Sequence, residues 1–144
     1  MHSLRLAVII VSLVVYQGCA PVVLTVGSQA MDAGIEHTMN GIVYKTFTSP
    51  LPNLRLASLK TLNWMDMKVT KDNETAYGRE IEALASDRTI DIKLESLTDK
   101  TTSMRVIVNR GDFFFKDSAT AREIIIQIVH TLEEEIARAE QAGE

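Results

Sequence analysis

Residues 89–109 read TIDIKLESLTDKTTSMRVIVN, and this segment carries the clearest structural signal in the 144-residue chain. Apolar and charged residues alternate over 90–95, and over 104–109 Met104, Val106 and Val108 alternate with Arg105, Ile107 and Asn109. Successive side chains of a strand point to opposite faces, so each half predicts a strand with one apolar and one polar face. The intervening residues 97–101 predict a turn. The two strands are expected to form an antiparallel hairpin and not a parallel βαβ unit.

Further segments extend this hairpin into a sheet. Residues 42–47, IVYKTF, are rich in the β-branched and aromatic residues that favour strands. Residues 67–70 and 75–84 flank the polar segment 71–74 and predict a second hairpin, in which Tyr77 and Ile81 point inward. The sequence therefore predicts an antiparallel sheet of four to five strands.

Two amphipathic segments predict the helices that cover this sheet. Ser49-Pro50 is a typical helix start, and leucines follow it at helical spacing towards Trp64, which we interpret as a core or edge aromatic. Asp117 or Ser118 can cap a second helix that reaches about Glu140. Its apolar stripe comprises Ala121, Ile124, Ile125, Ile128, Leu132, Ile136 and Ala139. The expected fold is α+β, a two-layer sandwich with both helices on one sheet face and the order strand, helix, strands, helix.

Residues 1–18 are typical of an export signal. Arg5 precedes the apolar run 6–16, which is shorter than the ~18 to 20 residues that a membrane-spanning helix needs. Gly18 then comes directly before Cys19, the only cysteine of the chain. This arrangement resembles the lipobox of bacterial lipoproteins, in which the chain is cut before the cysteine and the cysteine is acylated. Tyr16 departs from the Leu that lipoboxes usually carry at that place.

Two other interpretations of this segment are open. An ordinary signal peptidase could use Gly18 and Ala20 as its small-residue pair, although Pro21 would then follow the cut and is a poor residue there. The apolar run could also remain as an uncleaved anchor, with Cys19 a buried thiol. The run is too short to favour the uncleaved anchor.

Residues 19–40 are expected to form a lipidated N-terminus and tether, followed by a single domain over 41–144. Met31, Ile35 and Met39 recur at helical spacing, so a short helix from about Gln29 is one possibility, with Asn40-Gly41 ending it. These apolar residues either belong to a plain tether, or they pack on a partner or on the sheet of the same domain.

Composition and motifs exclude several classes of function. The net charge of −4 argues against a general nucleic-acid binder, and one cysteine excludes a disulfide framework. The sequence holds no Gly-rich phosphate loop, HExxH or GxSxG. His130 and Glu134 stand one helical turn apart, but two ligands do not make a metal site. We therefore expect no enzyme, no catalytic or metal-ligating residue and no cofactor.

Phe113, Phe114 and Phe115 stand between the last strand and the last helix. Adjacent residues of an extended chain cannot all face one core, so at least one is expected to face solvent or a partner. Two of them can still close the end of the sandwich. Because exposed aromatics are typical interface anchors, the triplet is a candidate partner-contact site.

These features together resemble a family of small proteobacterial lipoproteins known only as a domain of unknown function. The resemblance lies in the signal and lipobox, the apolar tether and the segments 78–83, 89–94 and 105–108. The architecture is also similar to the helix-grip domains of an accessory lipoprotein of the outer-membrane β-barrel assembly machine. The resemblance carries no catalytic residues and implies an anchor at Cys19. Ala20 follows the cysteine where an inner-membrane retention signal would have Asp, which suggests the outer membrane.

The expected function is that of a lipid-anchored periplasmic accessory or structural lipoprotein. Its partners would be the membrane, through the lipid, and an envelope protein complex, with no nucleic acid. The alternative is a binder of a small apolar or lipid ligand between the sheet and the C-terminal helix. A cavity lined by Ile90, Ile92, Val106 and Ile125 would favour that alternative, whereas close packing of these side chains would not.

Overall fold

A computed structural model describes residues 36–111 and 115–142, and within them the alternating segment forms the predicted hairpin. The helices and strands follow in this order: β1 (Glu36–Met39), β2 (Ile42–Phe47), α1 (Leu51–Trp64), β3 (Lys68–Thr75), β4 (Gly78–Ala85), β5 (Arg88–Thr98), β6 (Thr101–Arg110), β7 (Phe115–Lys116) and α2 (Ser118–Ala142). The α+β class with an antiparallel sheet and two helices is confirmed.

Within the described residues, the strands form one antiparallel seven-stranded sheet with the order β1-β2-β6-β5-β4-β3, and β7 pairs with the end of β6. The prediction of four to five strands is wrong, and so is the order strand, helix, strands, helix. Two strands precede α1, and a short strand precedes α2. Strands of four and two residues, such as β1 and β7, are too short to show an alternating pattern in the sequence.

Asn40 and Gly41 form the two-residue turn between β1 and β2. Met39 pairs with Ile42, and the turn residues have φ of 52° and 76°. Two positive φ values in a two-residue hairpin define a type I′ turn, which Asn-Gly favours. Residues 36–39 are therefore a strand, where a helix was one expectation, and the remaining tether and signal residues lie outside the described part of the chain.

The second hairpin differs from the prediction in its turn. Lys71, Asp72 and Glu74 belong to β3, and the turn is formed by Ala76 and Tyr77. Charged residues are tolerated here because β3 is an edge strand and pairs them with charges across the hairpin, such as Lys71 with Glu82 at 2.8 Å. Ile81 is buried as predicted, but Tyr77 is exposed.

The core lies between one face of the sheet and the two helices. Residues of β2, β4, β5 and β6 that share this face are buried together with apolar side chains of α1 and α2 in one cluster. The four residues proposed to line a ligand cavity, Ile90, Ile92, Val106 and Ile125, have 0% of their surface exposed. They are members of this cluster.

The antiparallel topology gives the sheet two distinct ends. Glu36, the first described residue, pairs with Lys45, and the β3–β4 and β5–β6 turns at Tyr77 and Lys100 lie at the same end. We call this the entry end. The opposite end, which we call the far end, carries the β1–β2 turn, the β4–β5 turn and the exit of β6 at 110–111.

Candidate docking surface at the far end of the sheet

Of the four predicted site residues, Cys19 and the three phenylalanines 113–115, Phe115 is the one that lies within the described part of the chain. It begins β7 at the far end, and 74% of its surface is exposed. Cys19, Phe113 and Phe114 lie outside the described residues. The structure therefore places one aromatic of the triplet in solvent, as the sequence predicts for at least one of them.

The backbone around Phe115 is held by strand pairing. Arg110 pairs with Phe115, and Asn109 pairs with Lys116. The amide of Asp117 then donates to the carbonyl of Val108 at 2.8 Å. Hydrogen bonds thus fix the backbone that carries the exposed ring.

Asp117 connects β7 to α2 as the N-cap of the helix. Its Oδ1 accepts the amide of Thr120 at 3.0 Å, and its Oδ2 accepts the Thr120 hydroxyl at 2.7 Å. Arg88 Nε donates to the same Oδ2 at 3.1 Å. The Thr120 hydrogen bonds, followed by Arg88, lower the pKa of Asp117 to about 2. The predicted cap is confirmed, and its carboxylate stays charged through the physiological range.

Asp87, in the β4–β5 turn, also contacts the segment that carries Phe115. Its carbonyl accepts the amide of Gly111 at 3.0 Å, which ties the turn to the exit of β6. Its carboxylate lies 3.2 Å from Arg88 Nη1 and 3.3 Å from Arg110 Nε. Charged groups of both signs therefore surround the base of the segment that presents Phe115. An exposed aromatic with a polar rim is the usual anatomy of a protein interface.

The polar face of the sheet carries a second arrangement, which the sequence did not indicate. His37, Tyr44, Arg105 and Lys93 are consecutive partners across four strands. The rings of His37 and Tyr44 stack at 4.8 Å, and a shallow groove of about 240 Å³ lies beside Tyr44, Lys93 and Arg105. Finding this row requires the strand order, because its members are far apart in sequence.

Asp91 lies beside this row on the polar face. Arg105 Nη2 approaches Asp91 Oδ1 at 3.4 Å, while Glu82 is its direct partner across the sheet. Burial raises the pKa of Asp91 against the effect of Arg105, and nearby Glu80 and Glu82 raise it further. Asp91 is thus a half-buried ion-pair partner of Arg105.

Trp64 is exposed, with 74% of its surface in solvent, and so differs from the expected core or edge aromatic. It ends α1 and lines a groove of about 410 Å³ with His130 and Glu134 of α2. His130 Nδ1 lies 4.0 Å from Glu133, and both side chains are exposed. Across the described ranges, no three His, Cys, Asp or Glu side chains are grouped so that they could hold a metal ion.

No helix in the described part of the chain has the length and hydropathy that crossing a membrane requires. Residues 3–130 match the model of a protein family described as Protein of unknown function (DUF3568). None of the curated proteins compared with the chain matches it.

Proposed function

This chain belongs to the DUF3568 family of proteins of unknown function, and we propose that it is a lipid-anchored periplasmic module that docks onto an envelope protein complex. The observation that carries the proposal is the sequence before Pro21. Arg5, the apolar run 6–16 and Gly18-Cys19 follow one another as in a lipoprotein signal. Acylation of the Cys19 thiol and of the amino group released by cleavage would hold the chain on a membrane, since two or more acyl chains anchor stably.

The position of Glu36 supports an anchored and accessible domain. Sixteen residues separate Cys19 from Glu36, so the tether can span at most roughly 55 Å. The tether joins the sheet at the entry end, and Phe115 lies at the far end. An anchor at one end leaves the aromatic surface at the other end free for a partner.

The net charge and the signal sequence support a domain that is anchored in the outer membrane and lies on its periplasmic side. After removal of residues 1–18 the chain would carry 14 Lys and Arg against 19 Asp and Glu, a net charge of −5. This net charge disfavours attachment of the domain to an anionic lipid surface by charge alone, so the acyl chains would supply the attachment. Ala20, and not Asp, follows the cysteine.

The partner is expected to contact Phe115 directly. Aromatic side chains that bury fully on binding supply a large share of interface energy. The Arg88–Asp117 pair and the β6–β7 pairing hold the segment before binding, which lowers the entropy cost of docking. We expect no catalytic role for this surface.

The proposal is tested with the full chain in its native membranes. Cys19→Ser should move the protein from the membrane fraction to the soluble fraction. Phe115→Ser should stay in the membrane fraction but lose the proteins that chemical cross-linking captures with the wild type. Leu56→Ser is the matched control, because Leu56 is an exposed apolar side chain on α1 and belongs to none of the far-end turns. Equal capture by the Phe115 variant and the wild type would reject the docking surface.

A further inference from the structure

The entry end of the sheet carries two exposed apolar side chains. Tyr77 has 80% of its surface in solvent, and Leu97 has 56%. They belong to different hairpins, but the amide of Ser96, next to Leu97, donates to the carbonyl of Tyr77 at 3.1 Å. The two side chains therefore stand on adjoining and mutually bonded segments.

Tyr77 occupies a turn whose geometry does not call for an aromatic residue. The loop between Thr75 and Gly78 has two residues, Ala76 and Tyr77, and neither has a positive φ. Such turns are ordinarily filled by Gly, Asn, Asp, Pro or Ser, for reasons of hydrogen bonding and backbone freedom. An exposed phenol ring here contributes little to folding.

Leu97 is placed outside the ladder by a β-bulge. Ser96 pairs with Thr102 and Thr98 pairs with Thr101, so Leu97 is the extra residue between them. The hydroxyl of Ser96 donates to the carbonyl of Thr98 at 3.1 Å and stabilises the irregularity. Bulges commonly redirect a side chain, and this one directs a leucine into solvent.

The chain itself indicates what covers these residues. The tether of the proposed lipoprotein joins the sheet at Glu36, at the end that carries Tyr77 and Leu97. The membrane that holds Cys19 is therefore the surface that this end meets most readily. A tyrosine suits the boundary between headgroups and acyl chains, because its ring is apolar and its hydroxyl is polar.

We propose that Tyr77 and Leu97 form a second membrane contact, which inserts into the lipid surface beside the acylated Cys19 and directs the far end away from the membrane. This inference rests on the proposed function. It adds an orientation, because a tether alone permits every rotation of the domain. With the contact made, Phe115 points into the periplasm, towards an envelope partner.

The test must report orientation and not release from the membrane. Two or more acyl chains anchor a protein stably, so loss of two exposed side chains would not detach it from the membrane. Fluorescence quenching by bromine atoms in the lipid chains reports the proximity of a tryptophan to lipid. Trp64→Phe removes the natural tryptophan, which is exposed at the end of α1.

In this background Tyr77→Trp places the probe at the entry end, and Leu84→Trp places a matched probe near the far end, since Leu84 pairs with Thr89 beside the β4–β5 turn. The acylated full chains are reconstituted into vesicles of phosphatidylethanolamine and phosphatidylglycerol, with or without brominated acyl chains. Flotation of the vesicles measures anchoring, and far-ultraviolet circular dichroism verifies that each variant is folded.

We expect the probe at position 77 to lose most of its emission in brominated vesicles and the probe at position 84 to keep it. Adding Leu97→Ser should weaken quenching at position 77. Floating protein with equal or no quenching at the two positions would overturn the contact and leave the anchor standing. Protein that does not float would overturn the anchor and this inference together. Quenching at position 77 that is unchanged by Leu97→Ser would remove Leu97 from the contact.

Discussion

Arg88 Nε lies 3.1 Å from Asp117 Oδ2, and this pair joins the β4–β5 turn to the first turn of α2. Both side chains are largely buried by their surroundings, and the carboxylate also caps the helix through Thr120. The pair holds the segment that carries Phe115. The candidate docking surface therefore depends on a contact between residues 29 positions apart in sequence.

Asp117→Ala should destabilise the protein by about 1 to 2 kcal/mol, because the helix loses its N-cap and Arg88 loses its partner. The folded-state pKa of Asp117 is about 2, below the ordinary value of 3.8. A lowered pKa stabilises the fold above the ordinary pKa, and that stability is lost as the pH falls from about 4 to about 2. Asp117→Asn should keep most of the cap and flatten this part of the profile. Urea unfolding at several pH values measures both effects, and an unchanged acid limb in the asparagine variant would contradict the assignment.

Gly78→Ala should strongly destabilise the pairing of β4 with β5. A Cβ on Gly78 would lie 1.9 Å from the carbonyl oxygen of Leu94 in β5. The obstacle is backbone, so the two strands must separate, and we expect a loss of about 2 kcal/mol or more. Gly111→Ala is the matched control, since no atom lies within 4 Å of its added Cβ and only its φ of 60° is unfavourable. Equal unfolding midpoints for the two variants would show that strand separation costs nothing.

Asp72→Ala should loosen the connection between α1 and the β3–β4 hairpin. Asp72 accepts from Arg55 Nε at 2.9 Å and from Arg79 Nε at 2.8 Å, so one carboxylate pairs with two guanidinium groups. The hydrogen bond from Arg55, with Arg79, lowers the pKa of Asp72. Arg55 is partly exposed, so we expect a loss of about 1 to 2 kcal/mol and not the larger cost of a fully buried pair. Hydrogen exchange should rise in β3, and an increase confined to α2 would contradict this account.

Asp91→Asn should stabilise the fold at pH 7, whereas the alanine substitutions at Asp72 and Asp117 should destabilise it. Burial raises the pKa of Asp91, so the folded state favours the protonated form. Stability is then lost as the pH rises from the ordinary pKa through the higher folded value. The asparagine removes this penalty and should raise the thermal midpoint at pH 7 while flattening the profile above pH 4. A lower midpoint at pH 7 would mean that the pair with Arg105 outweighs the burial of the charge.

The sequence predicted the elements whose signals are local and repeated. The alternation of 90–95 and 104–109 predicted the β5–β6 hairpin, and the apolar stripe from Ala121 predicted α2. The polarity of residues 71–74 predicts a turn, and that prediction is wrong. They form a strand because their charges pair with Glu82, Arg79 and Arg55. Those partners are 7 to 17 residues away, and no local pattern reveals them.

The candidate site likewise has features that the sequence predicts and features that it does not. Three adjacent phenylalanines are visible in the sequence, and the exposure of Phe115 agrees with the steric argument that one must face outward. The contact between Arg88 and Asp117 and the bulge at Leu97 depend on strand pairing and register, which the sequence does not specify residue by residue. The inward position predicted for Tyr77 is wrong because the residue lies in the β3–β4 turn, directly before Gly78, which starts β4.

The most direct test of the account is the intact mass of the protein after gentle detergent extraction from its own membranes. We predict the mass of residues 19–144 plus acyl chains, accompanied in native conditions by a second polypeptide. Cys19→Ser should abolish the acyl mass. A wild-type mass without acyl chains, or one that retains residues 1–18, would contradict the lipid anchor on which the proposed function rests.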